Sequence, residues 1–213
     1  MLNVERCAGL KLAYFLLLTL ALSVVSNSFA QSGIDRNVLY PDLKQTLMVM
    51  AEVDQEIRNE LISKGFGRVD SLDIIRQKAI DEANTKILDK LIRNYGWPTR
   101  EMVGKDGVDA AFLIVQHAEP AYQKKMLPSI KSSFERGDLD GAKYALLVDR
   151  VLVSDGLPQR YGSQAKIEEG YIILFPIEDR TKVDVLRESL GLEPLSEYNR
   201  GMESLYGAKY KDR

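Results

Sequence analysis

The chain holds a single histidine, His117, placed after Gln116 and just ahead of a Glu119-Pro120 break. Imidazole is the side chain whose ordinary pKa lies nearest neutrality, so His117 is the candidate proton shuttle if the protein does acid–base chemistry. A histidine at the end of a helix also serves as a cap or dipole partner, and the sequence leaves that role open. Carboxylates able to orient an imidazole occur in unusual places. Asp54 falls where a helical repeat calls for an apolar residue, and Asp149 lies on the face of Ala142, Ala145 and Leu152. An ionised carboxylate against apolar surface has to be paired, hydrogen-bonded or protonated. Arg58 is one turn on from Asp54 and Arg150 follows Asp149, so a cross-helix network of these four charges is expected.

Around these residues lies an inventory suited to recognition. Gln55, Gln116, Gln159 and Gln164 offer amide donors and acceptors, Arg150 and Arg160 offer forked cations, and Tyr161 offers a stackable ring. The first reading of this set is a binding module for a small polar ligand or a peptide. The second is an enzyme of the hydrolase type, with His117 as acid or base and Asp54 or Asp149 as its orienting carboxylate. The third is structural: a buried polar network, with any function carried by an outer surface such as the tail from Asn199 to Arg213.

Other chemistry fits poorly. The only cysteine, Cys7, precedes the apolar run near the N-terminus, so one histidine and carboxylates alone would have to make a zinc site; no metal and no cofactor is expected. Asp138-Leu139-Asp140-Gly141 has Arg136 where a calcium loop needs its first ligand. Ser163-Gln164-Ala165-Lys166 matches the S-x-x-K of penicillin-binding proteins in letters, but on a strand that spacing puts Ser and Lys on opposite faces. Lys plus Arg number 29 against 31 for Asp plus Glu, a balance that points to neither nucleic acid nor an anionic membrane surface.

The elements that must hold these residues are mostly helices. Leu43, Leu47, Met50, Ile57 and Leu61 step by fours and threes along a first helix from about Asp42 to Lys64, and Asp54 completes the pattern. A second helix is expected from Ser71, as N-cap, to Asn94, with Ile74, Ile75, Ala79, Ile87, Leu88, Leu91 and Ile92 giving apolar contacts. A third includes Val108 to His117, and a fourth runs from about Ala121 to Arg136, where Pro128 is a potential kink. A fifth covers Asp140 to Val153. Strand-like segments Tyr161 to Ile167 and Tyr171 to Phe175 then join through Glu168-Glu169-Gly170 as a hairpin. Two short helices follow, Val183 to Leu190 and Pro194 towards Tyr206. The fold class expected is mainly α: a single-domain helical bundle with one short β-hairpin after the fifth helix.

Residues 1–30 read as a signal peptide. A charged start ends at Lys11, an apolar run extends from Leu12 to Val25, and Ser28-Phe29-Ala30 has the small residues a signal peptidase prefers. The expectation is an exported protein, periplasmic or extracellular, whose 31–213 form one globular domain away from the membrane.

Three longer strings carry a resemblance. GWPTREMVGKDGVDAAFLIVQHAEPAYQKKMLPSI, ALLVDRVLVSDGLPQRYGSQ and PIEDRTKVDVLRESLGLEPLSEY, together with Asp54-Gln55, resemble an uncharacterised, mainly bacterial family known only as a domain of unknown function. The resemblance implies no activity. It does imply that Asp54, Gln55, Gln116, His117, Asp149, Arg150, Gln159, Tyr161, Gly162 and Gln164 match positions of the family's motifs. Glu119 and Ser163 depart from the Asp and Thr usual there.

Overall fold

The computed structural model describes residues 38–65 and 68–211. The signal-peptide reading of residues 1–30 lies outside the described residues. Within them the protein is mainly helical, with a small sheet after the fifth helix. Contacts group the chain into two compact units, one up to Tyr144 and one from Ala145 onward.

The first unit begins with α1 (Pro41–Lys64), started by Pro41 at its first position, where the missing N–H costs nothing. Leu43, Leu47, Met50, Asp54, Ile57 and Leu61 are all buried, so the four-and-three stepping holds with the carboxylate included. α2 (Ser71–Tyr95) follows. Its N-cap is Asp70 rather than Ser71: the Asp70 carboxylate accepts from the N–H groups of Leu72 (2.8 Å) and Asp73 (3.0 Å). Asp73 reaches back to the Asp70 N–H at 3.2 Å and completes a capping box, adding negative charge at the positive end of the helix.

α2 also turns differently from the expectation. Ile75 and Ile87 are 61% and 43% exposed, and the buried positions are Asp73, Asn84 and Leu88. The inward stripe is largely polar because α1 offers polar partners. Asn84, for instance, donates to the Met50 carbonyl at 3.3 Å.

α3 (Arg100–His117) starts well before its apolar half. Thr99 caps the Met102 N–H at 3.3 Å, and Gly104, at φ +74°, breaks the helix into two pieces. Only glycine takes that φ without strain. Gly107 has Val103 packed so close that a Cβ there would lie 2.6 Å from the Val103 Cβ. α1 and α3 form the most extensive helix pair, with Leu47, Leu61, Val108, Phe112 and Val115 almost fully enclosed. α4 (Pro120–Glu135) runs unbroken through Pro128 and sets Met126 and Ile130 inward. The start of α5 (Gly141–Ser154) closes this unit, and the rest of that helix belongs to the second.

In the second unit β1 (Ala165–Glu168) pairs antiparallel with β2 (Tyr171–Leu174). Glu168 faces Tyr171 across the ladder, leaving Glu169 and Gly170, at φ +53° and +81°, as a two-residue turn. Two positive φ values in such a turn match the right-handed twist of the strands. The chain from Tyr161 to Gln164 is not strand, as had been expected, but a loop. α6 (Val183–Glu188) and α7 (Leu195–Tyr206) lead to β3 (Lys209–Tyr210), which adds to β2 in parallel and turns the expected hairpin into a three-stranded sheet.

Leu88 is the fully buried aliphatic side chain of α2, whereas Ile75 faces outward. Leu88→Ala is expected to lower the unfolding free energy by about 3 kcal/mol and Ile75→Ser by less than about 0.5, measured by urea denaturation.

Candidate functional site

Burial of Asp54, 1% exposed, decides the geometry of the first unit. Its carboxylate gathers partners from its own helix and from α3. Arg58, one turn on, donates from one nitrogen to Oδ1 at 2.9 Å and to the Asp54 carbonyl at 3.2 Å. Gln55 donates its amide to Oδ2 at 2.8 Å. His117, the last residue of α3, brings Nδ1 to 3.0 and 2.8 Å from the two carboxylate oxygens. A carboxylate is an acceptor, so Nδ1 carries the hydrogen.

The other guanidinium nitrogen of Arg58 reaches Asp81 of α2 at 2.8 Å. One cation therefore serves two carboxylates. The two carboxyl groups respond in opposite directions. Burial pushes Asp54 up, yet the imidazole, the Arg58 charge and the Gln55 amide outweigh it, and its pKa lies below the ordinary 3.8. Burial dominates at Asp81, helped by the negative charges of Asp54 and Glu119, and Arg58 only partly offsets it; the pKa is pushed up to about 6.

His117 lies in the last turn of α3, and two carbonyls of that turn are met from α4. Gln123 of α4 donates to the carbonyls of Gln116 (2.8 Å) and Ala118 (2.9 Å), satisfying the end of α3. The Gln116 side chain is buried at that same turn, 1% exposed.

In the second unit the fate of Asp149 is different. Its oxygens accept from the backbone N–H groups of Arg160 (2.7 Å), Tyr161 (3.1 and 3.2 Å) and Ser163 (2.9 Å), and from the Ser163 hydroxyl (2.9 Å). Burial pushes the Asp149 carboxyl up, against those donors, which pull it down. Gln159 donates to the carbonyls of Gln164 and Phe175, both at 2.9 Å, while its own oxygen accepts the Gln164 N–H at 2.7 Å. Gln164 donates to the Leu146 carbonyl of α5 at 3.2 Å. From the far side Arg187, 2% exposed, donates to the carbonyls of Tyr161 and Glu193 at 2.7 Å, its guanidinium lying 4.8 Å over the Tyr198 ring. At the loop's sharp point Gly162 has φ +70°, and a Cβ there would meet Leu195 at 2.7 Å.

Each unit holds its own group of the residues singled out from sequence. Asp54, Gln55 and His117 come together with Arg58 in the first. Asp149, Gln159, Gln164 and the backbone of Tyr161 come together around a loop, and Asp149 answers to N–H groups rather than to a cation. Arg150, half-buried, points about 100° round the helix from Asp149. Sequence reasoning passed over Asp81, Gln123 and Arg187. The signal for Asp81 was its place one turn before Asn84 and two before Leu88, on a face that carries few apolar residues.

A family model described as a family of unknown function (DUF6624) matches residues 41–211. The chain belongs to that family. No curated protein and no solved structure matches it.

Removing the Asp149 carboxylate strands three N–H groups in a buried loop. Asp149→Ala is expected to cost about 3 kcal/mol or more in urea unfolding, and Asp149→Asn, which keeps one acceptor oxygen, distinctly less. Asp81 makes a pH prediction. Its folded pKa is raised, so folding takes up a proton between pH 3.8 and about 6, and its contribution to stability falls as pH rises across that window. Asp54, with a lowered folded pKa, contributes fully above 3.8 and loses its contribution only below that value. The difference in unfolding free energy between the unaltered protein and Asp81→Asn, followed from pH 4 to 7, is expected to change in favour of the variant as pH rises.

Proposed function

We propose that this member of the family of unknown function is an enzyme of the hydrolase type, in which His117 exchanges a proton with a water or hydroxyl through Nε2 and Asp54 orients it. The observation that carries the reading is the contact of both Asp54 oxygens with Nδ1 of the chain's one imidazole, at 2.8 and 3.0 Å. Such a contact fixes the tautomer and aims Nε2 away from the carboxylate. Gln55 and Arg58 hold the carboxylate in place, so the orienting group does not swing. A binding module for polar ligands is supported less well, because Gln159 and Gln164 already use their amides on loop backbone. The substrate we propose is a small polar molecule. The apolar run Leu12–Val25 and Ser28-Phe29-Ala30 support a site of action after export, in the periplasm or outside the cell.

A catalytic imidazole has to be reachable, and a lone histidine makes that measurable. The His117 side chain is 4% exposed, so diethyl pyrocarbonate at neutral pH is expected to modify it in the folded protein slowly but fully, read as one carbethoxylated histidine per chain at 240 nm. Modification only after unfolding overturns the proposal. In a screen of ester, amide and phosphoester substrates, any turnover is expected to fall by about 10²–10⁴-fold in His117→Gln and in Asp54→Asn. Turnover that survives His117→Gln in a folded protein overturns it as well.

A further inference from the structure

Asp54, Arg58 and Asp81 form one chain of contacts that ends on His117. Asp54 and Asp81 bring two negative charges and Arg58 one positive, in a setting where the side chains of Asp54, Arg58 and Asp81 are 1%, 3% and 12% exposed. Two buried carboxylates that share one cation raise the proton affinity of the titratable groups around them. The titratable groups at the ends of that chain are the Asp81 carboxyl and the imidazole of His117, whose side chain is 4% exposed and lies against Asp54.

We propose that Asp81 governs the proton affinity of His117. While the Asp81 carboxylate is charged, it competes with Asp54 for Arg58, and the imidazolium is favoured as the charge that balances Asp54. Once Asp81 takes up a proton, Arg58 answers to Asp54 alone, and the proton affinity of His117 falls. The two groups are therefore coupled through Arg58, although they stand on different helices. Arg58 is the connecting part: one nitrogen is 2.9 Å from Asp54 and the other 2.8 Å from Asp81.

The charged groups that bear on Asp81 are Arg58 and Asp54 from α1 and Glu119 from the segment ahead of α4. Glu119 adds a further negative charge and so reinforces proton uptake by the pair. Asp81 is more exposed than Asp54, Arg58 and His117. Its raised pKa, about 6, puts its titration close to neutrality. Asp81 is a positioning residue here, acting on His117 only through Arg58 and Asp54. As regulation of the His117 site this rests on the proton-transfer reading, while its test follows the imidazole itself and needs no substrate.

The histidine ring of uniformly labelled full-length protein gives one set of carbon and nitrogen resonances, so its titration midpoint can be read directly. In Asp81→Asn the midpoint is expected to fall by about one pH unit, as fits loss of one screened charge nearby. Asp81→Glu, which keeps the charge, is expected to restore it. An unchanged midpoint in a folded Asp81→Asn overturns the proposal. If that variant does not fold, the unaltered protein decides: the His117 ring shifts should inflect at the pH where the Asp81 carboxyl carbon titrates, and a ring insensitive to that titration overturns it. A shifted imidazole without any turnover keeps the coupling and removes the enzyme, and turnover with an unshifted imidazole does the reverse.

Discussion

A carboxylate enclosed in a helix face is the constraint on which the first unit depends. Asp54 occupies a core position of α1, and no ionised carboxylate stays there without close donors. Its neutralisation draws in Arg58 from the next turn, Gln55 from the next residue and His117 from the end of α3, while Arg58 extends the network to α2. The relative register of three helices is thereby tied to one side chain. A slip of α3 by one residue would take Nδ1 off the carboxylate and leave a buried charge short of a partner. Buried ion pairs are weak contributors to net stability, because desolvation cancels much of the attraction, but they are strict about geometry. That strictness gives His117 a defined tautomer and a defined direction.

Asp149 faces the same burden in the second unit and meets it with a different set of partners. Its donors are three backbone N–H groups and a hydroxyl, all on the segment from Arg160 to Ser163. A cation there would have left the loop backbone to be satisfied some other way. With the carboxylate taking the N–H groups, Arg187 takes the Tyr161 carbonyl, and Gln159 closes the base of the loop against Gln164 and Phe175. The loop is held from several sides although it has no regular secondary structure. Gly162 fits because its φ is positive and because Leu195 fills the space where a side chain would stand.

The sequence was legible wherever one element's own periodicity carried the message. Five successive helices, their order, the place of the β segments and the oddity of Asp54 all follow from spacing along a single helix or strand. Boundaries failed where a local rule had two solutions. Ser71 and Asp70 are both good caps, and the longer acidic side chain wins because it reaches two N–H groups and is answered by Asp73. α2 turns away from the face its isoleucines mark, because the neighbouring helix offers Arg58 and the Met50 carbonyl, so the inward face is Asp81 and Asn84. β3 was missed because two residues pairing with a strand nearly forty positions earlier leave no periodic trace.

By itself, the sequence determined that this is a mainly helical chain in which certain polar residues stand on apolar faces, because burial against a periodic stripe is a property of one element. It could not determine who answers them. Asp54 and His117 are 63 positions apart, Asp149 and Ser163 are joined through a loop, and Arg58 might have turned to any of several carboxylates. Only tertiary packing brings those atoms within 3 Å of one another. The same packing made Asp81, an unremarked residue of the second helix, the second carboxylate of the cluster.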